Sequence, residues 1–298
     1  MLLFLIIWML TGGFGLLVLL NYLWPAGMNI FAQFLYFAPV LVYLLIKGVR
    51  PGNWIPFRGI RISTILLTVL VTFLFMPLTS FLNLLSMLFS TNFVSESAGE
   101  MAANPIWLNL LKVAVIPALL EELVFRGVFY HAYREKGVLV GALASAVAFG
   151  LMHMNFNQFF YAFVLGLIFC MLIEITGSIF TTIIAHFVVN GWSVLLTTIS
   201  GWLGQMAGSS GETANQTLTN NDIIAALGVY GAMAVICSSM AVCLMIWMAK
   251  RSGRMEHLKW CFRRHPLPIG VRRHFVTPAF VIAAVVAVAY MVLIELRF

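Results

Sequence analysis

Hydrophobic positions in this chain do not alternate or recur at helical spacing; they run on. Long, mainly apolar stretches lie roughly at 2–23, 28–46, 62–89, 106–130, 137–154, 158–175, 178–200, 223–249 and 276–296. A bilayer core of about 30 Å needs about 20 apolar residues in a helix. The pattern therefore predicts an all-α polytopic transmembrane bundle of about eight or nine spans. The first stretch has no basic leader and no small-x-small cleavage site, so it reads as a retained anchor.

Polar residues fall between the stretches in an ordered way. The 47–61 loop holds Lys47, Arg50, Arg58 and Arg61 and no acid. The 250–275 loop holds Lys250, Arg251, Arg254, Lys259, Arg263, Arg264, Arg272 and Arg273 against Glu256 alone. The loops 91–105 and 201–222 carry acids and no base. Basic loops stay cytoplasmic, and nine alternating spans then place the N-terminus inside and every loop on its expected side. The Gly/Ser/Asn-rich loops divide the chain into N-terminal spans (1–105), a polar-bearing middle (106–200) and C-terminal spans with the basic loop (201–298).

Composition agrees, with 62% hydrophobic and 9% charged residues; a soluble domain is about half apolar and a quarter charged. The net charge of +7 is juxtamembrane, which points to anionic lipid and away from nucleic acid. Cys170, Cys237, Cys243 and Cys261 have neither disulfide-framework nor zinc-type spacing. The Asn215 sequon matters only in a secretory pathway. Glu174 and Glu295 sit near span ends, where snorkelling to the interface is the simple reading.

Three polar clusters interrupt the apolar runs of the middle third. Glu121 and Glu122 are adjacent, with Arg126 four residues on; Phe149 precedes His153 by four; His186 precedes Asn190 by four. A charge inside a membrane helix costs about 2.5–3.5 kcal/mol on insertion scales. At i,i+4 Glu122 can pair with Arg126, while Glu121, about 100° round the helix, points elsewhere. Pro117 has no N–H to offer the carbonyl of Val113, so an opening just before the acids is expected. A carboxylate, two histidines and an amide can position a water, take its proton and hold a developing oxyanion. A lone membrane histidine is often a packing residue and a lone Glu–Arg pair a structural one; the ordered set argues for chemistry.

The run Glu121-Glu122-Leu-Val-Phe-Arg126, then Phe149-Gly-Leu-Met-His153, then His186-Phe-Val-Val-Asn190 resembles the three motifs of the CAAX-protease and bacteriocin-processing (CPBP, or ABI) family, which is similar to the type II CAAX prenyl endopeptidase. The resemblance covers about 106–200. It implies an intramembrane glutamate endopeptidase of membrane-associated or peptide-precursor substrates. In that scheme Glu121 activates water with help from His153, and His186 and Asn190 steady the oxyanion. Glu122 and Arg126 form the structural pair, and Phe149 supports the site. It implies no cofactor, with zinc on two histidines and a carboxylate as the alternative. The implied partners are membrane lipid and a peptide or membrane-protein substrate, and the implied location is a bacterial cell membrane, with the site opening to the cytoplasm. Other functions are an immunity or scaffold protein of the same family, and an ion-coupled transporter, which usually shows repeated halves that this chain lacks. One tension remains: His153, about 24 Å from Gly137 at 1.5 Å per residue, should lie nearer the outer face than Glu121.

Overall fold

The computed structural model describes 40–46, 55–91, 104–206, 220–263 and 277–296, with a few further positions between 34 and 52 and at 101. The expected span 2–23 and the first part of 28–46, up to 33, lie outside the described residues, and the described positions of 34–46 are helical. Among the described residues the secondary structure is entirely helical.

Five helices are long and apolar enough to cross a membrane. They are α1 (Ile62–Met87), α6 (Phe156–Thr176), α7 (Phe180–Met206), α8 (Asn220–Arg251) and α10 (Pro278–Glu295). They match five of the expected spans, and the chain is an integral membrane protein with a helical bundle.

Two expected spans take another form. The 106–130 stretch is a broken helix: α2 (Ile106–Asn109), a π-helical run π1 (Leu110–Val115), α3 (Ile116–Glu122), a second run π2 (Leu123–Phe129) and α4 (Tyr130–Arg134). The 137–154 stretch is α5 (Val138–Met152), whose 15 residues reach about 22 Å, short of the 30 Å core. A short helix, α9 (Met255–Cys261), lies in the basic loop.

Local chemistry fixes the joints. Met154 adopts the left-handed region at φ 52°, uncommon for a residue with a Cβ, and reverses the chain within two residues of His153. Asn155 then caps α6, its Oδ1 accepting from Gln158 N at 3.1 Å. Gly177, at φ 73°, ends α6 in the conformation glycine adopts without strain. Thr277 caps α10 through Phe280 N at 3.2 Å, with Pro278 in the first turn.

In lipid, helices associate through close packing of small residues more than through exclusion of water. Accordingly α5 buries Ala142, Ala144, Ser145, Ala146 and Ala148. A Cβ added to Gly166 of α6 would stand 2.8 Å from the Ala146 backbone and 3.3 Å from Arg126 Nη2. That glycine lets α6 approach α5 and the arginine together. One core cluster joins π2, α5 and α10 through Phe125, Phe129, Phe149 and Phe280; another joins α1, α6, α7 and α8 through Phe75, Phe169, Ala185 and Ala241.

The two ends of the bundle differ in charge. At the basic end Arg251 donates to Ser63 Oγ at 3.1 Å, Arg254 Nε to the Glu174 carbonyl at 2.7 Å, and Ile179 N to the Pro56 carbonyl at 3.1 Å. At the far end Thr91 N and Oγ1 both reach Glu295 Oε2 at 3.0 Å.

Glu174 does not snorkel. It is 1% exposed and gathers Tyr130 Oη at 2.6 Å, Arg134 Nε at 2.6 Å and Nη2 at 2.9 Å, and His257 Nε2. A buried carboxylate is tolerable when so many donors surround it, and this one ties α4, α6 and α9 together.

Candidate active site

The site forms where the broken helix meets α5, α6 and α7. Its backbone is unusual first: π-helical turns shift carbonyl pairing and are frequent at functional sites. Three carbonyls of this helix receive side-chain donors. Asn190 Nδ2 donates to Val113 O at 2.9 Å, Ser145 Oγ to Phe125 O at 2.9 Å, and His131 Nδ1 bonds Arg126 O at 2.8 Å. The expected opening ahead of Pro117 is thus closed by a side chain from α7.

Glu122 and Arg126 pair as expected, with Nη1 to Oε1 at 3.0 Å and both side chains 0% exposed. The guanidinium lies between two rings, 4.2 Å from the Phe149 centroid and 5.0 Å from that of Phe169. Its Nε and Nη2, and Glu122 Oε2, have no hydrogen-bond partner among the described residues, so the ring faces supply what the hydrogen bonds do not. Phe149 also meets His153 edge to face at 5.0 Å and His186 at 5.8 Å. Its place four residues before His153 is explained: one ring packs the arginine and both histidines.

His186 sits between the acids. Its Nδ1 bonds Glu122 Oε1 at 2.8 Å, and because a carboxylate only accepts, Nδ1 carries the proton. Nε2 then faces Glu121 Oε2 at 3.8 Å. An oxygen about 2.8 Å from each would touch both groups at once. Glu121 is the accessible member of the acid pair, 32% exposed against 0% for Glu122.

His153 follows the last residue of α5 and bonds the Phe149 carbonyl through Nδ1 at 2.8 Å. The carbonyl can only accept, so Nδ1 again carries the proton, and in the neutral ring Nε2 is then the basic nitrogen. His153 lies within electrostatic reach of Glu121 and His186. The depth conflict disappears because the broken helix continues to Arg134: Glu121 is then about 20 Å from that end at 1.5 Å per residue, close to the height of His153. The seven candidates Glu121, Glu122, Arg126, Phe149, His153, His186 and Asn190 are brought to one region.

Three neighbours were not legible in the motifs. Phe169 is the second ring over Arg126. Tyr161 is within electrostatic reach of Glu121. The Val113 carbonyl engages Asn190. Only the absence of an N–H on Pro117 signalled any of them.

Glu121, His153 and His186 do not meet at metal-ligand spacing. Among the described residues the group whose donor atoms lie within 4.8 Å of one another is Glu174, His257 and Cys261, where Arg134 already occupies the carboxylate. Burial, then the Glu174 charge, push the Cys261 thiol up to about 12.

Comparison with known proteins matches the same region. Residues 103–192 fit the family model described as type II CAAX prenyl endopeptidase Rce1-like. Over 90 residues the chain is 28% identical to "Putative membrane peptidase YdiL" of Bacillus subtilis (strain 168), a match covering 30% of this chain and 37% of that protein. No solved structure matches. The matched stretch contains all seven clustered residues and the two π-helical runs, and over 103–192 the chain is similar to the type II CAAX prenyl endopeptidases.

Proposed function

We propose that the chain is an intramembrane endopeptidase that hydrolyses peptide bonds of membrane-associated or precursor peptides with water activated by Glu121. One observation carries the reading: of two adjacent acids, Glu122 is sealed in a pair while Glu121 is open and faces the free edge of His186.

In this scheme water binds between Glu121 and the unprotonated Nε2 of His153. As its oxygen attacks the substrate carbonyl, Glu121 takes its proton. The oxyanion that forms is steadied beside His186, whose ring Glu122 holds in place through Nδ1. It accepts from the second N–H of Asn190, the first being fixed on Val113. Collapse breaks the C–N bond, and Glu121 returns the proton to the leaving amine. Glu122, Arg126 and Phe149 hold His186 and His153 at their angles. No metal is assigned a step.

The test is incubation of purified protein with a membrane-peptide library in ¹⁸O-labelled water. New C-termini carrying one label atom support hydrolysis. Intact peptides throughout, with the protein folded, would reduce the chain to a scaffold or immunity role.

A further inference from the structure

A second polar feature adjoins the site. A cavity of about 410 Å³ is bounded by α1, α6, α7 and α8, and Ser80, Asn83, Tyr161, Asn190, Ser193 and Tyr230 are among its lining residues. Its size is that of a ligand pocket, about 300–1,000 Å³. Polar side chains in lipid-spanning helices face protein or water, since hydrocarbon offers them no partner. Here the hydroxyls of Ser80, Tyr161, Ser193 and Tyr230 make no hydrogen bond to another described residue, and the Asn83 side-chain amide reaches only the sulfur of Met87, at 3.8 Å.

Depth gives the cavity a direction. Asn190 lies ten residues into α7, about 15 Å from the basic end at 1.5 Å per residue. Asn83 is 21 residues from Ile62, and Tyr230 is 21 from Arg251; each is therefore about 32 Å away, a full hydrocarbon thickness. The cavity runs from the middle of the bundle to the face opposite the basic loops. Two of its residues join it to the site. Asn190 is on its wall, and Tyr161 lines it while within reach of Glu121.

We infer that this cavity admits the substrate, and that the substrate is a polar, extended peptide segment arriving from the face away from the basic loops. The inference rests on the peptidase reading. An extended strand exposes N–H and C=O groups that lose water on entering the bundle and must be repaired by protein donors and acceptors. The hydroxyls of Ser80, Ser193 and Tyr230 and the amide of Asn83 are both donors and acceptors, placed between the far interface and Asn190. An isoprenoid chain would leave all of them unpaired, at a cost for each. Since basic loops stay cytoplasmic, the substrate is the juxtamembrane segment of a membrane-anchored precursor on the exterior side.

The test uses the full chain with its four native cysteines changed to alanine and single cysteines at Ser193, Val235, Ser210 and Ser252. Intact cells are treated with a charged, impermeant methanethiosulfonate reagent, Ser210 and Ser252 reporting the two sides. Only a thiolate reacts, so S193C in a wet cavity should be labelled at least about ten-fold faster than V235C, which is 70% exposed on the bundle surface. S193C should be labelled from the side on which Ser210 reacts. Purified S193C is then assayed on the peptide library before and after modification. Blocked cleavage after modification is the expected result. Absent labelling, labelling only from the Ser252 side, or undiminished cleavage by the modified protein each overturns the inference while the peptidase stands. Labelling as expected with no cleavage by wild type refutes the peptidase reading, and the substrate assignment falls with it.

Discussion

Asn190 and Val113 are joined by a hydrogen bond of 2.9 Å from the side-chain amide to the backbone carbonyl. The residue proposed to bind the oxyanion is thereby anchored to the helix that carries the acids, at the carbonyl to which Pro117 has no N–H to offer. One N–H of the amide is structural and the other is left for chemistry.

That double duty has a measurable consequence. Asn190→Ala removes an oxyanion donor and leaves a carbonyl unpaired, which costs about 1–3 kcal/mol when buried. We expect lost turnover together with a lowered Tm. In the Pro117→Ala background, where an N–H becomes available, the Tm loss from Asn190→Ala should shrink while turnover stays lost. Equal Tm losses in both backgrounds, measured as a double-mutant cycle, would show that the bond does not repair the proline gap.

Arg126 should matter for folding before it matters for rate. Its removal leaves the fully buried Glu122 with the His186 Nδ1 hydrogen bond in place of an ion pair, and breaking a buried pair by removing one partner typically costs about 3–5 kcal/mol. Arg126→Ala should give little folded protein in detergent. Phe149→Leu, which removes one ring face from the guanidinium, should cost less, about 0.5–2 kcal/mol. Normal yield and Tm for Arg126→Ala would mean that the pair does not hold the site.

How far these relationships could be foreseen varied with their range. Six of the seven candidate residues were visible because polar groups stand out in apolar spans, and Phe149 because it stands four residues before His153. The partners of those residues were not visible. Phe169 sits over Arg126 only because Gly166 lets α6 come close, a tertiary fact with no local trace. The π-helical runs left no mark in an apolar pattern that suits an α-helix equally well, and α5 read as a span although it ends at His153, short of crossing. Glu174 read as an interfacial residue because its donors, Tyr130, Arg134 and His257, lie 40 or more residues away in the chain.

The Glu174 cluster predicts an alkaline dependence. Burial and the Glu174 charge raise the Cys261 thiol to about 12, above its unfolded value of about 8.5. Above that unfolded value the folded state binds the extra proton, so the stabilisation is complete below about pH 8.5 and is lost as pH rises toward 12. Tm in detergent should fall more steeply between pH 8.5 and 11 for wild type than for Cys261→Ala. Parallel curves would contradict the assignment.

Chelation should leave cleavage intact if Glu121, His153, His186 and Asn190 act by proton transfer and oxyanion binding alone. Loss of cleavage in EDTA with recovery on added zinc would convert the reading to a metalloprotease.

The most direct measurement is cleavage of the membrane-peptide library by Glu121→Gln beside wild type, with Tm recorded for both. The substitution keeps the side-chain volume and removes the base, and Glu121 has no part in the Glu122–Arg126 pair. The account predicts turnover at background with a Tm near wild type. Cleavage close to the wild-type rate by a well-folded Glu121→Gln protein would contradict it.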